Sequence, residues 1–104
     1  MPDQNKRDVD AGFWSRADAH IHLANEHCDA ADPGKVSASL MYAASRFNAF
    51  IVASNSSSAE SMSKSRAEAL DYFAGQFRSM LEENLDDHIK NFATYSAHKR
   101  DLDA

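Results

Sequence analysis

Five histidines, one thiol and sixteen carboxylates are the side chains of this sequence that could do chemistry, and their spacing decides what chemistry that would be. Asp18, His22 and Glu26 stand at i, i+4 and i+8, which lays them along one stripe of a helix. Divalent transition metals accept imidazole and carboxylate ligands, so this stripe is the candidate metal site. His20 and His27, seven residues apart, share another stripe. A di-iron helical bundle, however, takes its ligands from Glu-x-x-His, and the residues three before the five histidines are Ala17, Ala19, Ala24, Leu85 and Tyr95. A solvated helix face accounts for the spacing without a metal, with His22 and Glu26 as an ordinary i, i+4 pair worth about 0.2 to 0.5 kcal/mol.

Nucleophilic chemistry is no better supplied. Cys28 adjoins His27, but neighbouring helical side chains point about 100° apart and do not meet as a thiolate and imidazolium. Cys28 also falls in an apolar stripe, which reads as a buried structural cysteine. As the one cysteine it forms neither an intrachain disulfide nor a cysteine-pair zinc site. The many serines lack a Gly-x-Ser-x-Gly turn. Glu82, Glu83, Asp86 and Asp87 form two like-charge pairs at i, i+4, which need compensation from solvent, a nearby base or a cation. The central glycine of a calcium loop is missing there. Trp14, Phe47, Phe50 and Phe73 would line a pocket or, as aromatic residues at helical spacing more often do, fill a core. No catalytic grouping is complete, and no cofactor is implied.

The elements that would position these residues are helices, because only three glycines and two prolines punctuate the chain. Phe13, Ala17, Ile21, Ala24, Cys28 and Ala31 recur in steps of three and four, predicting a first helix capped by Asp10 and ended by Asp32-Pro33-Gly34. A second helix is expected over 35–54, from the period of Val36, Leu40, Ala43, Ala44, Phe47, Phe50 and Ile51. Between Pro33 and Ala59 the charged residues are Lys35 and Arg46 alone, in a chain of net charge −5, so this helix belongs at the centre. Asn55-Ser56-Ser57-Ser58 reads as a loop, with Ser58 or Ser61 as the cap of the next helix. A third helix over 60–95 would be about 54 Å long if continuous, against about 30 Å for the other two. The expectation is all-α: a three-helix antiparallel bundle with a long third helix, continuous or bent near Asn84. It would occupy 10–96, between a charged arm at 1–9 and a frayed tail at 97–104.

That layout has two consequences. Folding back about Ser58 places Arg46 beside Asp71 or Glu68, a structural ion pair for a partly buried guanidinium. Folding about Pro33-Gly34 leaves the third helix without an intrachain neighbour beyond about Glu83, although Leu85, Ile89, Phe92 and Tyr95 continue its apolar stripe. That stripe is the expected oligomer surface, covered by a symmetric homodimer, by another protein, or by a tail folded back near Asn84.

Phe13-Trp14-Ser15-Arg16-Ala17-Asp18, Gly34-Lys35-Val36-Ser37-Ala38-Ser39-Leu40 through Arg46-Phe47-Asn48-Ala49-Phe50, and Met80-Leu81-Glu82-Glu83-Asn84-Leu85-Asp86-Asp87 carry a resemblance. With these stretches the chain, over about 12–95, resembles an uncharacterised bacterial family of small helical proteins of unknown function. The resemblance implies a bacterial origin and a helical fold, and brings no catalytic residue with it.

Charge and hydropathy narrow the partners. Eleven scattered bases against sixteen acids repel a phosphate backbone, so nucleic acid is not an expected partner. The most apolar stretch, 40–53, contains Arg46 and Asn48 and is shorter than the roughly 20 residues of a membrane span. Residues 1–10 do not read as a secretory signal, and a cytoplasmic location is expected. The sequence thus reads as a non-enzymatic interaction or structural module acting through protein–protein contacts. Its alternative is a small metal-binding protein or enzyme using His22, Glu26 and the carboxylates.

Overall fold

The structure is a computed structural model that describes residues 9–96. The expected tail and nearly all of the expected arm lie outside the described residues. Helices are the only regular elements among those described.

Helix α1 is Phe13–His27, and its first turn is organised from upstream. Gly12, not Asp10, holds the N-cap position. The Asp10 carboxylate accepts the Gly12 N–H at 3.0 Å and the Arg16 guanidinium at 2.7 Å, while the Asp10 carbonyl accepts the Phe13 N–H at 3.1 Å. An aspartate bonding the N–H two residues on is a local turn that competes with simple capping. Regular helix ends at His27, earlier than expected, and the Asp29 to Ala31 amides close tight turns on the Glu26 and His27 carbonyls.

Helix α2 is Pro33–Ser54. Pro33 and Gly34 therefore open this helix instead of lying between two. Proline suits the first helical position because its missing N–H would have no partner there, and its steric restriction falls on Asp32, which is extended at φ −61°, ψ 142°. Gly34 has no positive φ to offer a turn.

The expected third helix is interrupted twice. Helix α3, Ala59–Lys64, is capped by Ser58, whose hydroxyl accepts the Ser61 N–H at 3.1 Å. At Ser65 both the N–H (3.1 Å) and the hydroxyl (3.0 Å) donate to the Met62 carbonyl, and this double bond to residue i−3 tightens the turn. Helix α4, Arg66–Lys90, then runs 25 residues, about 37 Å, undisturbed by Gly75. It stops at Asn91, whose side-chain amide donates to the Asp87 carbonyl at 3.2 Å and to the Asp87 carboxylate at 2.9 Å. A last helical stretch lies at 92–96. The bend is thus at Asn91. Asn84 stays helical and donates to the Met80 carbonyl at 2.9 Å.

Helix α2 is central in position, with α1 along one side and α3 with the start of α4 along another. His20, Leu23 and Ala24 face Val36, Ser39 and Ala43 across the first groove; Met62, Leu70 and Phe73 face Ala49 and Val52 across the second. Central position does not bring burial. Val36, 7% exposed, is the one buried apolar residue among those described. The three-helix antiparallel bundle is replaced by an open succession of shorter helices, because α4 lines the groove on α2 only as far as Ala74. The radius of gyration, 16.5 Å, exceeds the roughly 13 Å of a compact domain of this length.

The start of α1 makes a prediction about pH. Hydrogen bonding to Arg16, supported by the Gly12 N–H, holds the Asp10 carboxyl below its ordinary value of 3.8. A depressed acid stabilises the fold above its unfolded pKa, and that contribution disappears as pH falls through the folded value. Carboxyl NMR should show Asp10 titrating below 3.8. Arg16→Gln should move it upward; identical titration in both proteins would contradict the pairing.

Candidate functional site

The acidic cluster near the end of α4 is compensated from within the chain. Asp87 is 6% exposed, and its carboxylate accepts the Asn91 amide at 2.9 Å and the Tyr95 hydroxyl at 2.5 Å. Tyr95 also stacks on His88, with ring centroids 3.7 Å apart and planes 15° from parallel. The His88 Nδ1 lies 2.8 Å from the Asn84 carbonyl, which only accepts, so that nitrogen carries the proton. Glu82 lies 3.7 Å from Arg78, one turn earlier. Asp87, Asn91 and Tyr95 together form a clasp across the break at the end of α4.

The clasp divides the expected oligomer surface. Tyr95 is half-buried against Asp87, whereas Leu85, Ile89 and Phe92 are 52%, 73% and 71% exposed. With Leu70, Phe73, Phe77 and Leu81 they form a stripe of steps of three and four down α4 and past its end. A second apolar face lies on α2. Phe47 and Phe50, ring centroids 6.2 Å apart, and Ile51 are exposed beyond Ala43, where the groove against α1 stops. Sequence reasoning assigned those two phenylalanines to a core. The scarcity of charge on α2 accounts for that core reading, but it does not distinguish a face packed by the chain's own helices from an exposed one.

The remaining candidates are not brought together. His22 and Glu26 approach to 3.7 Å on an open helix face without Asp18, and no group of three metal-ligating side chains exists among the described residues. Cys28 is half-buried. Arg46 makes no ion pair with Asp71 or Glu68 among the described residues; its guanidinium carbon lies 5.1 Å from the centre of the Tyr42 ring. The expected pairing needs α4 alongside this part of α2. Instead the groove between them is lined by Ser45, Asn48, Ala49 and Val52 of α2, and Arg46 stays exposed beside it.

The family model described as "Protein of unknown function (DUF3144)" matches residues 13–89. The chain belongs to this family. Among solved structures, the NMR structure of the protein NB7890A from Shewanella sp is 33% identical, with a TM-score of 0.70. The match covers 88% of this chain and 98% of that one. No curated protein matches. The family supplies the helical fold and no activity.

The clasp is testable by removing one hydroxyl. Tyr95→Phe leaves the buried Asp87 carboxylate with one donor fewer, which should cost about 1.5 to 3 kcal/mol in urea unfolding. An unchanged midpoint would show that the hydroxyl does not hold the turn.

Proposed function

We propose that this DUF3144 chain is a non-enzymatic interaction module that works through protein–protein contacts made by its apolar helix faces. One observation carries the reading: a chain with 43% hydrophobic residues buries a single one of them among its described residues. In proteins most of a helix's stability comes from packing of its apolar face, so open faces of this kind would gain stability from a surface packed on them. Leu85, Ile89 and Phe92, at and just past the end of α4, and the Phe47 and Phe50 face of α2 are two such surfaces. Contiguous exposed apolar residues at helical spacing mark interaction sites more often than isolated ones do. No helix among the described residues is long and apolar enough to cross a membrane. The expected cytoplasmic location, with which a lone cysteine is consistent, is part of the same proposal.

A photo-crosslinking residue placed at Phe92, at Phe47 and, as control, at Lys64 tests this in the living cell. Discrete protein adducts are expected from the first two positions and not from Lys64, whichever protein is the partner. Absence of adducts from both apolar faces would overturn the interaction reading.

A further inference from the structure

We infer that the occupant of both apolar faces is a second copy of this chain, so that the α4 stripe of each copy lies across the Phe47, Phe50 and Ile51 face of the other's α2. The inference rests on the interaction reading and adds the partner and the pairing. Four observations support it. The first is extent: beyond Ala74, where the groove with its own α2 stops, α4 still exposes Phe77, Leu81, Leu85 and Ile89, and α2 exposes Phe47, Phe50 and Ile51 beyond Ala43, where the groove with α1 stops, so each copy carries two faces that its own helices leave open.

The second is charge. Helix α2 carries Lys35 and Arg46 and no acid, and α4 carries six acids against three bases. Opposite charge on the two faces steers them together, and α2 against α2 or α4 against α4 gains no such complementarity. Arg46, which reaches neither Asp71 nor Glu68 of its own chain, would then lie beside the acidic α4 of the second copy.

The third is area. The described residues bury one apolar side chain, Val36, and leave fifteen large hydrophobic ones exposed. Obligate homodimers bury about 2,000 to 5,000 Å² in total and resemble a domain core cut in two. The fourth is symmetry: a twofold axis brings face A to face B and face B to face A at once, so a chain carrying two different complementary faces satisfies both with one partner.

Sedimentation equilibrium of the full chain at micromolar concentration should give twice the 11.5 kDa chain mass. Ile89→Asp and Phe47→Asp should each weaken association about a hundredfold, since each would bury an unpaired charge. The pairing itself is read by disulfide trapping in a Cys28→Ser background, mixing one chain with Phe50→Cys and another with Ile89→Cys. Oxidation should give the mixed disulfide in preference to either symmetric one. Symmetric disulfides alone would overturn the α2-to-α4 pairing. A monomer mass in sedimentation would overturn the second copy as partner, and if crosslinked adducts of another mass persist in the cell the interaction reading survives without it.

Discussion

A helix with one apolar side must have that side covered, and in this chain the side chains that need covering outnumber those the chain itself can cover. Helix α2 meets α1 over its first half and the start of α4 over its last turns. The rest of the molecule is shaped by the shortfall. The backbone hydrogen bonds are satisfied within the helices, so the elements persist as elements. Tertiary burial, which normally supplies most of a helix's stability, is what the single chain lacks. The faces left over are those of large residues, Phe47, Phe77, Ile89 and Phe92 among them, and not of small ones that tolerate water.

Local hydrogen bonds from polar side chains decide where the helices stop. Asp10 arranges the turn before α1, Ser58 caps α3, Ser65 closes it, and Asn91 ends α4. In each case a short side chain offers the backbone an alternative to the next i, i−4 bond. The Asp87 clasp is the most elaborate, since the same aspartate binds the residue that breaks the helix and the tyrosine beyond it. Within the cluster at 82–87, Glu82 is placed by Arg78 and Asp87 by Asn91 and Tyr95.

Much of this architecture is legible in the sequence, and the illegible parts share a cause. The helical period of Val36, Leu40, Phe47 and Ile51 locates α2, and its end at Ser54 is where the pattern stops. Pro33 marks a boundary correctly but on its other side, because proline favours the first turn of a helix as well as the end of one. The breaks at Ser65 and Asn91 depend on which way a hydroxyl and an amide turn, and periodicity carries no record of that. Leu85, Ile89 and Phe92 carry the helical spacing that the sequence shows, and all three are exposed. Tyr95 shares the spacing but not the fate, because its hydroxyl has a buried carboxylate within reach. The Arg46 pairing assumed a straight third helix lying along α2, and it does not form once that helix is divided.

Because successive helices touch mainly their neighbours in sequence, the chain closes only short loops as it orders. The entropy of loop closure is then small, and search through distant pairings, which slows sheet proteins, is largely absent. The same economy leaves few long-range contacts to make unfolding all-or-none. On the proposed reading, in which another surface covers the exposed helix faces, cooperativity would come from mass action with that surface and the ordered fraction would depend on concentration. Dilution would then act as a denaturant for this architecture in the way that heat does for a compact one.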